Sequence, residues 1–265
     1  MISDEIKQKI AMTDYTFHNG QYKIRDGRLF SRVTSVIGMI KFDDGALDIW
    51  RKKMQIRDFT KRIDIHGTYK GSKVFDEFAL AMDSADTYMK SSASFGTRAH
   101  AWIEEYMKTG EYPPIPESDA YANIEMCLRS VQKFFIDSGI SPSTVEVIKP
   151  ELFVYSEKYG YAGSADFLCG RGENIYLFDW KTSNSYRIQY AIQLAAYAKA
   201  IEELYGLHVN KGNCVVFNKE KPGYDVHTYS DKELDFYFEL FKACLIMHNF
   251  VKNYPIPNMS VIMEK

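Results

Sequence analysis

The sequence predicts an α/β fold in which a central mixed β-sheet is flanked by helices. Its 265 residues are 46% hydrophobic and 26% charged, which is the composition of a globular chain long enough to bury a core. Apolar residues have helical spacing over much of the chain up to residue 138, and strand-forming residues cluster from Thr144 to Trp180. A further helix, two strands and a last helix follow, an order that favours helices packed against one sheet.

The N-terminal part combines short strands with helices. Asn19-Gly20 and Asp26-Gly27 are turn signals between strand formers, and helical spacing begins after residues 33–35 and continues through Trp50. Further helices are predicted over 74–89, from about 94 to 108, and over 118–138. Gly110 and Gly139 lie where the C-terminal caps of the last two helices belong.

The second half of the chain contains most of the predicted sheet. Turns at 158–160 and 170–174 divide the segment from Thr144 to Trp180 into strands. The remaining predicted elements are a helix over 188–205, strands over 213–217 and 224–229, and a helix over 231–251. The sequence shows no repeat or linker, so we expect one compact domain. Residues 93–265 would form its core and residues 1–92 an N-terminal, partly helical elaboration.

Charge, hydropathy and cysteine content narrow the class of protein. Taken alone, the formal net charge of −2 argues against a nucleic-acid partner, because proteins that bind phosphates usually carry a positive excess. No apolar run approaches the roughly 20 residues of a membrane helix. The four cysteines are scattered without a CxxC pair. We therefore expect no membrane association and a location in the cytoplasm, or in the host cytoplasm if the source is viral.

One segment departs from the balanced charge of the chain. Residues 51–66 contain six Lys or Arg against two Asp. A solvated helix face is the usual explanation for such a run, and a surface that faces phosphates is the alternative. The segment by itself leaves both interpretations open.

Charged residues occur near the end of two neighbouring predicted strands. Asp166 lies on the first strand, whereas Asp179 and Lys181 lie on the second, where the period of two directs both side chains to one face. An ion pair beside an unrelated Asp166 is the simpler explanation. The alternative is a divalent-metal site, because carboxylates are ligands that Mg²⁺ and Mn²⁺ prefer. The lysine could then orient the attacking water or stabilise charge on a phosphate.

Two predicted helices carry polar residues at a spacing of four. His100 and Glu104 share one helix face. Gln193 and Tyr197 share a face of a helix that is otherwise rich in alanine, and buried polar groups need partners. Core packing explains the alanines but not this polar row, although a single helical histidine is by itself more often structural.

In order and spacing, these residues resemble the PD-(D/E)XK nuclease superfamily. The narrower resemblance is to its RecB-like branch, which includes CRISPR-associated, mitochondrial genome maintenance and phage exonucleases. The matching elements, between about residues 94 and 200, are Gly96-Thr97-x-x-His100, Glu151, Gly163-x-x-Asp166, Asp179-Trp180-Lys181-Thr182 and Gln193-x-x-x-Tyr197.

The resemblance implies a restriction-endonuclease-like core that cleaves DNA phosphodiesters with Mg²⁺ or Mn²⁺. Lys181 would be the catalytic lysine, and Glu151 would be a further catalytic carboxylate near the metal. Glu104 would lie close to the same site. The implied metal ligands are His100, Asp166, Asp179 and the backbone carbonyl of Trp180, with both aspartates also counted as catalytic.

The resemblance also implies contacts with DNA. Gln193, Tyr197 and Thr182 would brace the site and touch the substrate. The N-terminal elaboration would line the DNA path, which favours phosphate-facing roles for Lys52, Lys53 and Arg57. No iron–sulfur cluster is expected, because only Cys244 lies beyond residue 220.

The function predicted on these grounds is a DNA exonuclease that acts on single-stranded or free ends in recombination, repair or phage DNA processing. Two alternatives remain. One is a structure-selective endonuclease on the same fold, and the other is a non-catalytic nucleic-acid-binding module.

Overall fold

The computed structural model describes residues 2–12, 14–40, 46–63, 71–115, 124–183, 185–218 and 223–253. They form an α/β fold with one eight-stranded mixed sheet flanked by helices, which confirms the predicted fold class. The helices are α1 (Asp4–Met12), α2 (Val33–Ile37), α3 (Ala46–Arg62), α4 (Gly71–Met82), α5 (Ser84–Thr109), α6 (Ile124–Ser138), α7 (Gln189–Tyr205) and α8 (Asp231–Asn253). The strands are β1 (Tyr15–His18), β2 (Gln21–Ile24), β3 (Leu29–Arg32), β4 (Glu146–Ser156), β5 (Tyr161–Arg171), β6 (Asn174–Thr182), β7 (Lys211–Phe217) and β8 (Tyr224–Ser230).

The sheet has the strand order β1-β2-β3-β5-β6-β7-β8, with β4 paired to β5 outside this path. Neighbouring strands are antiparallel except at two places, where β3 runs parallel to β5 and β6 runs parallel to β7. The parallel pairs require long crossover connections, and α7 supplies the one between β6 and β7.

The pairing of β5 leaves an opening in the sheet. One edge of β5 is paired with β4 over almost its whole length. The other edge pairs with β3 at Tyr161 and Ala162 and with β6 from Phe167 to Arg171. Residues 163–166 have no strand partner on that edge within the described part of the chain, so side chains can enter the sheet there.

Hydrophobic cores lie on both faces of the sheet. The first core joins the sheet to α7 and α8, where the alanines of α7 are fully buried. The second core joins it to α5 and α6 and contains Phe95, Trp102 and Trp180. Because successive strand residues face opposite sides, Trp180 enters the second core while its neighbours Asp179 and Lys181 face α7.

The N-terminal residues contribute to the same sheet. The turns at Asn19-Gly20 and Asp26-Gly27 join β1, β2 and β3 as predicted, and Asn19, Gly20 and Gly27 have positive φ. The proposed division after residue 92 falls inside α5. That residues 1–92 line a DNA path stays a prediction.

Three predicted helix boundaries differ from the structure. The helix expected through Trp50 ends at Ile37, where the chain turns at Gly38, and residues 41–45 lie outside the described ranges. The segments 74–89 and 94–108 are divided instead between α4 and α5, with the break at Asp83. Burial of Phe95 and Ala99 outweighs the weak helix propensity of the nearby serines. Residues 118–123 of the third predicted helix are also outside the described ranges.

No helix within the described ranges is both long and apolar enough to cross a membrane. All four cysteines are buried, and none of them forms a disulfide. Gly110 adopts the left-handed conformation predicted for a cap, and its N–H donates to the carbonyl of Tyr106 at the end of α5.

Candidate metal centre

The opening beside β5 brings together acidic residues from three strands. Glu151 on β4 lies between Pro150 and Leu152, whose partners on β5 are Phe167 and Ala165, so it stands across from Asp166. The β5–β6 ladder stops at Phe167 and Phe178. Two residues beyond Phe178, the backbone N–H of Trp180 donates to Asp166 Oδ2 at 2.7 Å. A side-chain carboxylate thus replaces a backbone acceptor where the two strands part.

Helix α5 places a histidine over this edge of the sheet. His100 Nδ1 lies 3.6 Å from Asp166 Oδ1 and 3.9 Å from Glu151 Oε1. One ligand atom from each of His100, Glu151 and Asp166 falls within 4.8 Å of the others. These three residues could therefore hold a metal ion.

Electrostatics in this group favour a bound cation. Burial disfavours the charged imidazolium, but Asp166 and Glu151 outweigh that effect and raise the pKa of His100 to about 9. Burial, together with the negative charge of Asp179, raises the pKa of Asp166 to about 7 against the opposing charge of His100. Closely spaced carboxylates in a low-dielectric site bind a proton or a metal ion to relieve their repulsion.

Asp179 is the most buried acid of the centre. Its side chain has no exposed surface, and Lys181 Nζ lies 2.6 Å from its Oδ2. Despite this proximity, neither carboxylate oxygen accepts a hydrogen bond of good geometry from the described residues. Burial disfavours the ammonium of Lys181, yet Asp179 and Asp166 outweigh burial and raise the pKa of Lys181. Asp179 therefore has one cationic neighbour and spare capacity to bind another cation.

Helix α7 closes the opening from the side of the first core. Gln193 Nε2 donates to Tyr197 Oη at 2.9 Å, and both side chains are buried. Burial and the charge of Asp179 raise the pKa of Tyr197, so its phenol stays protonated and keeps a donor. A Cβ on Gly163 would lie 2.4 Å from Tyr197 Cε1, so the close approach of this ring requires glycine there.

Glu151 has an unusual backbone conformation. Its φ of 49° is in the left-handed region, which costs a residue with a Cβ about 1–3 kcal/mol. Ser164 Oγ donates to Glu151 Oε2 at 3.0 Å and holds the carboxylate over the opening. The fold thus maintains a strained residue at the point where its carboxylate meets the other candidate metal ligands.

Two cavities adjoin the centre. A cavity of about 190 Å³ is lined by the three candidate ligands together with Tyr22, Arg32 and Thr34. Arg32 is held at the end of β3, with its guanidinium 5.1 Å from the ring centroid of Phe17. Sequence reasoning did not find Arg32 or Tyr22. Nothing local in the sequence shows that β3 runs beside β5.

The second cavity, of about 440 Å³, lies along α5. Glu104 shares this surface with His100 as their spacing predicts, but its Oε1 lies 2.6 Å from Lys108 Nζ and it is outside the group of three ligands. Gly96 on the same helix faces β6, since a Cβ there would come within 3.2 Å of Thr182 Oγ1.

The remaining sequence-predicted residues lie further out. Lys52, Lys53 and Arg57 are exposed on α3, which packs against α5, and none of the three forms an ion pair with a described residue. Their contact with DNA, like the roles of Thr182 and of the Trp180 carbonyl, stays a prediction.

Comparisons with known proteins give neighbours of the structure only. No protein-family model matches the chain, and a comparison with curated protein sequences found no match. Among solved structures, the protein named "Putative exonuclease" from Eubacterium rectale has a TM-score of 0.43 at 10% identity and covers 82% of this chain and 88% of its own. LHK-Exo in complex with dAMP has a TM-score of 0.34 at 15% identity and covers 60% of this chain and 82% of its own.

Proposed function

We propose that this protein is a metal-dependent nuclease that hydrolyses DNA phosphodiester bonds. The observation that carries the proposal is the juxtaposition of the Asp179–Lys181 pair with the group formed by His100, Glu151 and Asp166. Burying this many charges is costly unless each is compensated, and an ordinary core would not contain them. A lysine beside a carboxylate-rich metal site is suited to phosphoryl chemistry.

The donor set fits Mg²⁺ or Mn²⁺. Asp166, Asp179 and Glu151 supply hard oxygen ligands, and the imidazole of His100 is better suited to Mn²⁺ than to Ca²⁺. The Trp180 carbonyl would complete the protein ligands. When bound, such an ion supplies a Lewis acid that polarises the phosphate and lowers the pKa of a coordinated water.

The side chains of the protein supply orientation and charge. The pKa of Lys181 is raised, so its ammonium stays protonated at neutral pH and can stabilise negative charge that develops on the phosphate. Glu151, held by Ser164, can accept a proton from the attacking water. The phenol of Tyr197, fixed by Gln193, can donate to a phosphate oxygen and restrict how the strand lies over the metal ligands.

Positive charge on the N-terminal elements provides further contacts for a phosphate backbone. Arg32 lines the same cavity as the candidate ligands, and its guanidinium suits a phosphate oxygen. The exposed cations of α3 extend positive charge along the helix that packs on α5. We propose that Arg32 contacts a phosphate close to the scissile bond and that Lys52, Lys53 and Arg57 contact more distant ones.

The proposed activity is exonucleolytic and favours single-stranded ends, in DNA recombination, repair or phage DNA processing. Support for this narrower assignment comes from the order and spacing of the motifs. An endonuclease on the same fold would use the same centre, so cutting mode must be measured with substrates that lack ends.

The direct experiment compares end-labelled linear single-stranded DNA with a covalently closed single-stranded circle, each with Mg²⁺ or Mn²⁺ and with EDTA. An exonuclease degrades the linear strand in the presence of metal and leaves the circle intact. Nicking of the circle would show that the protein is an endonuclease rather than an exonuclease. Binding of both substrates without any metal-dependent product would contradict the nuclease assignment.

A stability measurement tests the metal site without relying on activity. An ion that binds only the folded protein stabilises it, by about 2.7 kcal/mol when its concentration is a hundred times Kd. Mn²⁺ should therefore raise the denaturation midpoint of the wild-type protein but not that of Asp166→Asn. Glu125→Gln, which removes an exposed acid on α6, should keep the full response to Mn²⁺.

A further inference from the structure

A row of aromatic rings leads away from the candidate catalytic lysine. Lys181 Nζ lies 5.2 Å from the ring centroid of Tyr190. The ring of Tyr190 meets that of Tyr186 edge to face, with centroids 6.0 Å apart and planes at 84°. Tyr186 in turn faces the imidazole of His227, at a centroid distance of 4.0 Å. Tyr190, Tyr186 and His227 are here called the aromatic row.

Three different elements hold the aromatic row in place. Tyr186 precedes α7, Tyr190 lies in its first turn, and His227 is on β8. Tyr229 Oη donates to Tyr186 Oη at 2.6 Å, which fixes the tilt of the central ring. All three members of the row are half-buried, so each ring keeps part of its surface open to solvent.

The surroundings of the aromatic row suit a nucleotide. Each ring of the row keeps part of its surface open to solvent, and nucleobases stack on aromatic rings whatever their sequence. Arg187, next to Tyr186, is exposed and forms no ion pair within the described part of the chain. Half-buried aromatic rings beside an exposed guanidinium combine base stacking with a backbone contact, as in proteins that bind single strands.

We infer that the aromatic row is a stacking subsite for unpaired bases adjacent to the scissile phosphate, with Arg187 contacting the backbone. The inference rests on the proposed function and deepens it, because it names the feature that selects a single strand. Bases in a duplex already stack on one another and cannot place their faces on protein rings. Tyr186 and Tyr190 pack against the first core, which explains part of their burial. That packing does not require an aromatic ring at His227 or a charge at Arg187.

The test uses probes with equal charge that differ in their bases. A fluorescent oligothymidylate is compared with an oligomer of the same length whose sugars are abasic, with Ca²⁺ present and binding followed by anisotropy. Stacking of one or more bases should make the wild-type protein prefer oligothymidylate by roughly fivefold or more. Tyr186→Leu and His227→Ala should each remove most of this preference, whereas Tyr186→Phe should keep it because the ring remains.

A matched control separates stacking from a general loss of aromatic packing. Tyr112→Leu removes a half-exposed tyrosine that stacks on Tyr106 away from the centre, and it should keep the preference. An unchanged preference in both His227→Ala and Tyr186→Leu would overturn the inference. If Tyr186→Leu fails to fold, the result for His227→Ala decides.

The two proposals can fail separately. Suppose that the wild-type protein cleaves DNA with metal but its base preference is unchanged by substitutions in the aromatic row. The nuclease assignment would then stand, and the stacking subsite would be refuted. A base preference that depends on Tyr186, without any cleavage of DNA, would support the stacking subsite and contradict the nuclease assignment.

Discussion

Lys181 Nζ lies 2.6 Å from Oδ2 of Asp179, a carboxylate with no exposed surface. Among the described residues, each member of this pair is the main opposite charge that offsets burial of the other. Their shared face follows from the period of a β-strand, which also directs Trp180 between them into the opposite core. The pair is therefore costly to bury, and it is the proposed chemical centre of the site.

Removing one member of this pair should destabilise the protein more than removing both. Lys181→Met leaves the buried Asp179 without its partner and should lower the free energy of unfolding by about 3 kcal/mol in the absence of metal. The double variant Asp179→Asn/Lys181→Met should recover part of that loss, as measured by urea denaturation. The exposed pair of Lys133 and Asp137 is the control and should couple by less than about 1 kcal/mol. Additive effects at residues 179 and 181 would contradict the account.

Gly163→Ala should disturb the position of Tyr197. The added Cβ would lie 2.4 Å from Tyr197 Cε1, and overpacking of this kind costs about 1–3 kcal/mol. Removing the ring as well, in Gly163→Ala/Tyr197→Ala, should abolish the clash, so the two substitutions should not be additive. Gly170→Ala on the same strand is the control, because its nearest neighbour would be at an ordinary 3.6 Å. Equal losses in Gly163→Ala and Gly170→Ala would refute the close approach.

Two substitutions of Glu151 should separate the effect of backbone strain on stability from the effect of the carboxylate on activity. Its positive φ suits glycine, so Glu151→Gly should be more stable than Glu151→Ala by about 1 kcal/mol. Both variants lose the carboxylate and should lose metal-dependent cleavage equally. Thermal denaturation and cleavage rates of the two variants check this. Greater stability of the alanine variant would show that the backbone is not strained there.

Lowering the pH should weaken the attachment of α1 to β4. Glu146 on β4 accepts from the N–H of Ile2 at 3.2 Å, and its Oε1 lies 3.2 Å from Lys7 Nζ. Burial opposes the carboxylate, but Lys7 and the Ile2 N–H outweigh it and lower the pKa of Glu146. Its stabilising contribution is therefore complete above the unfolded pKa of about 4.3 and is lost as the pH falls through the lower folded pKa.

Hydrogen-exchange protection of α1 provides the measurement. Protection should be lost in acid before the central strands unfold, and Glu146→Gln should show the same loss at neutral pH. Glu125→Gln, which removes an exposed pair with Arg129, should behave as wild type. Protection of α1 that is the same in Glu146→Gln and wild type would exclude this role for Glu146.

Local patterns predicted much of the fold and which of several candidate site residues share a face. The period of two placed Asp179 and Lys181 on one face, and the spacing of four brought Gln193 into hydrogen-bond contact with Tyr197. The turns of the N-terminal strands and the order of the later elements were also predicted, because turn residues and apolar periodicity are local signals.

Features that depend on distant parts of the chain were not predicted. Arg32 reaches the centre only because β3 runs parallel to β5, a pairing between residues about 130 positions apart. The positive φ of Glu151 and the need for glycine at residue 163 likewise arise from neighbours in space. The net charge of −2 likewise does not indicate where the charges lie, since acids concentrate at the centre and exposed cations lie on α3.

We propose that the buried acids and Lys181 form a metal-dependent catalytic centre for DNA cleavage. Its most direct test is the single-turnover cleavage rate of end-labelled single-stranded DNA with Mn²⁺, compared between wild type, Lys181→Ala and Lys199→Ala. Lys199 pairs with Glu202 on α7 and serves as the control lysine. We expect cleavage that EDTA abolishes, a loss of at least about a hundredfold in Lys181→Ala, and a normal rate in Lys199→Ala. Equal rates in Lys181→Ala and wild type, or cleavage that persists in EDTA, would contradict the account.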